Sequence, residues 1–145
     1  MRFFPASTRR ALLVACVCAL AANSGTLAAD KKKPSLTMRA MPAGGFAPLK
    51  VSVNVVIQGG ANDYEQFYCP SIEWDWDDGT KSEEKIDCEP YEAGKSEIRR
   101  NFRSEHKFDI GGDFRVQFRL KQKKKTVAST STTIRVQGGI RDGYR

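Results

Sequence analysis

The 145-residue sequence holds a single histidine and four cysteines, and two of those cysteines fall within the first 18 residues. With His106 alone, no Ser/His/Asp arrangement can be laid out, and no residue set meets the needs of nucleophile, base and orienter together. Zinc is equally poorly served: Cys69 and Cys88 have no C-x-x-C spacing, and one histidine cannot complete a ligand set. No glycine-rich phosphate loop is present, since Gly111-Gly112 precedes a strand pattern and not a helix. The longest apolar run, Ala11 to Ala22, has 12 residues, short of the ~20 that span a bilayer. No segment carries a convincing helical period. These gaps point to a non-enzymatic chain with no cofactor and no metal.

What the sequence does have begins at its N-terminus. Met1 to Arg10 carries Arg2, Arg9 and Arg10, the apolar run follows, and Asn23 to Ala29 turns small and polar. That order is a secretory signal, residues 1–29, with cleavage after Ala28 or Ala29. Lys31-Lys32-Lys33 follows at once, and positive charge there opposes export. Leu13-Val14-Ala15-Cys16 offers an alternative, a lipid anchor on Cys16, against which the chain stays apolar through Ala22. The expected location is periplasmic or extracellular. Losing residues 1–29 removes three arginines and no acid, so the formal charge falls from +7 to +4. This mild bias is no nucleic-acid footprint. Cys69 and Cys88 then remain, an even number in an oxidising compartment, which reads as one disulfide.

Residues 30–34 form a charged start. From Ser35 the chain reads as strands and turns. Leu49, Val51, Val53, Val55 and Ile57 alternate with mostly polar residues, the period of a strand with one buried face. Ser71 to Trp76 is a second strand, stopped by the turn signal Asp77-Asp78-Gly79-Thr80. Phe114, Val116, Phe118 and Leu120 alternate in the same way, and Thr126 to Val136 should return antiparallel after a polar turn. Lys81 to Glu105 is densely charged and reads as a long solvated loop, with a short strand at Ile98 to Phe102. Residues 35–137 suit a seven-strand sandwich, and 138–145 form a short tail.

Five stretches, in order, resemble one family. Pro42 to Val51 is similar to the opening of a polycystic kidney disease (PKD) domain, where a Gly, a small residue and Pro-Leu lead into the first long strand. Trp74-Asp75-Trp76-Asp77-Asp78-Gly79 resembles the family's Trp-Asp-Phe-Gly-Asp-Gly, with Asp77 in place of a Gly. His106-Lys107-Phe108 stands where the family has His-x-Tyr, Gly112 to Val116 resembles Gly-x-Tyr-x-Val with Phe114 as the aromatic, and Ser131 to Val136 resembles the closing strand. The resemblance implies an all-β, immunoglobulin-like antiparallel sandwich of about seven strands. It also makes Trp74, Asp75, Trp76, Asp78, Gly79, His106, Gly112 and Phe114 structural, His106 through ring bonds to nearby turn backbone. Such domains serve as spacers and as binding modules, so no partner follows from the likeness.

Trp74 is read as a core anchor, with Trp76 pointing the same way and one of the two near an edge. Asp75, Asp77 and Asp78, with Asp63, Glu65 and Glu73 near them, invite a calcium reading, but no D-x-D-x-D-G spacing is present; the acids are assigned to the turn. The most distinctive surface is cationic. Arg115, Arg119 and Lys121 share an outward strand face, Lys123, Lys124 and Lys125 fill its turn, and Arg135 lies on the returning strand. As side chains facing water, they form a surface for an anionic glycan, a lipid headgroup or an acidic protein, or a solvated face that discourages edge pairing. The expected function is an exported protein- or glycan-binding module, or alternatively a structural spacer or accessory subunit of an exported enzyme.

Overall fold

The computed structural model describes residues 32–139. The signal, its Cys16 alternative and most of the tail lie outside the described residues. Eight strands are present: β1 Ser35–Met41, β2 Gly44–Phe46, β3 Leu49–Gln58, β4 Ser71–Asp75, β5 Lys81–Glu84, β6 Asn101–Phe108, β7 Gly112–Gln122 and β8 Lys125–Gln137. One 3-10 turn, Glu65–Phe67, stands between β3 and β4. The strands form two sheets, in the orders β1-β3-β6 and β2-β8-β7-β4-β5.

The core follows from alternation. Val51, Val53, Val55 and Ile57 of β3 face Phe114, Val116, Phe118 and Leu120 of β7 across the sandwich, and Ile134 and Val136 of β8 join them; all are buried. β-branched and aromatic side chains fit this pleated, one-sided burial. The outward residues between them are polar except Val56. Burying a residue such as Val53 or Phe118 contributes ~1.5–3 kcal/mol.

The all-β sandwich is as expected, with one pair that departs from the antiparallel pattern: β2 runs parallel to β8, with Gly44 opposite Arg135 and Phe46 opposite Gln137. After Met41 the chain meets Pro42, which cannot donate to a ladder, and it leaves β3 for the other sheet. The charged segment from Lys81 is not one solvated loop. Lys81–Glu84 is an edge strand on β4, and the real strand after the insert is β6, most of which lies beyond Phe102. Between them the chain folds onto the 59–68 segment. Ile98 is buried and its N–H donates to Asn62 O at 2.8 Å. Tyr91 Oη donates to Asp63 O at 2.7 Å. The Arg100 guanidinium donates to Ile57 O, Gly59 O and the Asn62 side chain, at 3.2, 2.9 and 2.6 Å. A long cationic side chain thus satisfies carbonyls that a tight turn leaves without ladder partners.

Cys69 precedes β4 and Cys88 follows β5, and a disulfide joins them with 6.1 Å between Cα atoms. It closes the open end of the β4–β5 hairpin. The β7–β8 hairpin pairs to its end, Gln122 opposite Lys125, which leaves Lys123 and Lys124 as the turn.

Candidate functional site

The motif residues gather at the turn between β4 and β5. Trp74 and Trp76 are both buried, so neither lies at an edge. Their rings stack at 5.7 Å, and Trp76 stacks on His106 at 4.4 Å. The Trp76 indole N–H donates to Ser82 Oγ at 3.1 Å. The His106 ring meets a carboxylate and not turn backbone: Nε2 lies 2.6 Å from Asp78 Oδ2. This corrects the expected partner. His106 takes an inward position on β6, so its ring reaches across the sandwich to the turn, where Asp78 is already oriented by the Thr80 N–H and hydroxyl at 3.0 and 2.6 Å. Burial pushes the Asp78 carboxyl up, but the bonds from Thr80 and His106 outweigh it and hold the group below its usual range.

The chemistry open to this cluster is limited by its order. In a hydrolytic triad the imidazole stands between hydroxyl and carboxylate. Here the carboxylate stands between the Thr80 hydroxyl and the His106 ring, so the ring has no hold on the Thr80 proton. Asp77 and Gly79 shape the turn. Asp77 has φ 63 and Gly79 φ 88, and Asp77 Oδ2 accepts the Arg115 N–H at 2.8 Å. Gly112 opens β7, and the buried Phe114 stacks on Phe108 at 4.4 Å. Among the described residues no three His, Cys, Asp or Glu side chains converge as a metal site would need.

The cations of β7 are not free. Antiparallel register sets Glu73 opposite Arg119 and Asp75 opposite Gln117. Arg119 Nη1 and Lys121 Nζ both donate to the Glu73 carboxylate, and Lys81 reaches Asp75 at 3.0 Å. The Arg119 and Lys121 side chains are 26 % exposed and that of Glu73 only 9 %. The expectation that Arg119 and Lys121 simply face water is therefore corrected. The Lys121 ammonium, helped by Arg119 against the cost of burial, holds the Glu73 carboxyl below its usual range. Lys81, likewise against burial, does so for Asp75. The acids on β4 were visible in the sequence as Glu73 and Asp75, but their role needed the β4–β7 register.

The remaining cations divide. Arg115 donates from Nε to Ser131 Oγ at 3.3 Å. Arg135 is exposed, opposite Asp113. Lys123, Lys124 and Lys125 are exposed at the hairpin tip. Lys121, Lys123 and Lys124 border a groove of about 280 Å³ together with Lys85 and Glu83. Lys85, from the charged insert, is the member that the sequence did not single out.

Two packed β-sheets, with the first strand divided between them, define an immunoglobulin-like β-sandwich. Among solved structures, the chain is similar to the PKD domain of an M14-like peptidase from Thermoplasmatales archaeon SCGC AB-540-F20, at 12% identity and a TM-score of 0.48, over 73% of this chain and 97% of that one. No protein-family model and no curated protein matches the chain. No helix among the described residues is long and apolar enough to cross a membrane.

Proposed function

We propose that this chain is an exported, non-catalytic PKD-type module that binds an anionic component of the cell envelope or extracellular space. Export is supported by the basic, apolar, small-residue order of residues 1–29 and by the Cys69–Cys88 disulfide, a bond that persists in oxidising compartments. The observation that carries the binding reading is the hairpin tip. Four lysines, Lys85, Lys121, Lys123 and Lys124, share one groove with a single acid, Glu83. Lys121 is held by Glu73, so the ligand would meet chiefly Lys85, Lys123 and Lys124, with Lys125 beside them. Such a cluster suits phosphate or sulfate groups, which lysine meets as a point charge.

The test is sedimentation of the purified protein with phosphatidylglycerol vesicles and with a sulfated polysaccharide. Binding to at least one is expected at low salt. It should weaken sharply above ~0.15 M, where screening sets in within ~8 Å, and fall in a Lys123→Glu/Lys124→Glu variant that melts like the wild type. Binding that ignores both salt and these substitutions would overturn the reading. A second reading, a spacer or accessory subunit of an exported enzyme with no site of its own, is favoured by the pairing of Arg119 and Lys121 with Glu73, which spends the sheet's central cations on the fold. That reading gains if neither anionic surface is bound at low salt.

A further inference from the structure

On the opposite side of the molecule, the outer face of the three-stranded sheet carries a row of side chains in register. Arg39 of β1 stands opposite Asn54 of β3, and Asn54 stands opposite Arg103 of β6. Cross-strand neighbours lie ~5 Å apart, so the two arginines bracket the asparagine at roughly 10 Å. They border a groove of about 530 Å³, which Thr37, Ser52 and Gln58 also line.

The charges on this face do not cancel in the row. Glu105, the nearest acid, lies 2.8 Å from Lys50 but 3.7 Å from Arg103. Lys50, first among its neighbours, holds the Glu105 carboxyl below its usual range. Lys107, which stands opposite Lys50, has its own acid in Asp109 at 2.6 Å. The Arg103 guanidinium donates from Nε to Ser52 Oγ at 2.9 Å, which fixes its stem. Arg39 is exposed and has no acid within ion-pair distance among the described residues. Lys50 and Lys107 are thus each met by an acid at 2.8 Å or less, while the two arginines, the side chains built for bidentate carboxylate contacts, have between them only the shared Glu105, 3.7 Å from Arg103.

We propose that this groove is a second binding site, for a carboxylate-bearing polysaccharide, with Arg39 and Arg103 gripping sugar carboxylates and Asn54, Thr37, Ser52 and Gln58 bonding hydroxyls. Amide and hydroxyl side chains both donate and accept, as sugar hydroxyls do. An acidic peptide fits less well. Extended peptides dock by adding to a sheet edge, and this groove lies on a face. Peptide side chains also anchor in packed apolar pockets, whereas six of the eight side chains that line this groove are polar, Met41 and Val56 being the exceptions.

Affinity electrophoresis of the purified protein through gels containing polygalacturonate, dextran or polyglutamate tests the site. Retardation by polygalacturonate and none by dextran is expected. Arg39→Gln/Arg103→Gln should weaken that retardation roughly tenfold or more, the worth of at least one charge-assisted bond. Asn54→Asp, which places a carboxylate between the arginines, should abolish it. Lys123→Glu/Lys124→Glu should leave it unchanged, which separates this groove from the hairpin tip. Each variant is compared by thermal melting, so that a loss of fold is not scored as a loss of binding. Equal retardation of the wild type and the folded double arginine variant, or retardation by polyglutamate alone, would overturn the proposal.

Discussion

Asp77 and Gly79 show how far single residues decide the turn that presents Asp78. The PKD pattern that this stretch resembles has a glycine where Asp77 stands, and the structure gives a reason for either residue: φ is 63, a left-handed value that Asp tolerates better than most side chains. Asp also adds what glycine lacks, a carboxylate that accepts the Arg115 N–H. Gly79 has φ 88, and a Cβ built there would meet nothing within 4 Å. Strain there is therefore a matter of backbone conformation and not of room. Gly79→Ala and Gly79→Val are expected to destabilise by similar amounts, ~1–3 kcal/mol, with Gly79→Asn milder because Asn visits this region more readily. Urea unfolding of the three variants checks this. A Val variant far worse than Ala would mean that crowding decides the cost. The sequence already marked Asp78-Gly79 as a turn, because Asp and Gly signal turns locally. It gave no sign that the His106 ring would end on Asp78, since that contact joins the two sheets and depends on how they pack.

At the scale of elements, what could be read from sequence follows burial. β3 and β7 bury every second residue, so their alternation was visible. β5 buries none of its four residues and had no pattern to show. β6 places Ser104 and His106 at inward positions between Phe102 and Phe108, which breaks the apolar alternation and hid the strand. The Arg39–Asn54–Arg103 row was invisible for another reason: three residues from three strands become neighbours only once the register is known. The exposure of β5 also explains the disulfide. A four-residue edge strand that buries no side chain depends on its ladder with β4 and on the Trp76–Ser82 hydrogen bond, and the Cys69–Cys88 bond closes that hairpin with a sequence separation of 19. In the chain-entropy model a loop of this length is worth ~3 kcal/mol. The Cys69→Ala/Cys88→Ala variant should lose about that much in urea unfolding. Hydrogen exchange should rise most in β5 and around Ile86. Two reactive thiols in the denatured wild-type protein would remove the premise.

Across the whole molecule, carboxylates add polar ties between parts that the buried core also joins. Glu73 and Asp75 tie β4 to β7 and β5 through Arg119, Lys121 and Lys81. Asp78 ties the five-stranded sheet to the three-stranded one through His106. All three carboxyls are held below their ordinary values of 4.5, 3.8 and 3.8 in the folded chain. The unfolded chain therefore binds more protons than the folded one once pH nears those ordinary values. The stabilisation is fully present above them and is lost as pH falls through the lowered folded values. Protonation also removes negative charge from a chain that is already net positive, which adds self-repulsion. Stability measured in urea should thus be flat near neutrality and fall steeply below about pH 4.5. Lys121→Met removes the foremost partner of Glu73 and so brings its folded value closer to the ordinary one. It should lower stability at neutral pH, by ~1.5–3 kcal/mol for a bond to a charged group, and make the acid decline shallower. Lys124→Met, at the exposed tip, should change neither. A Lys121→Met variant with unchanged neutral stability and an unchanged acid decline would show that the Glu73 cluster lends the fold nothing.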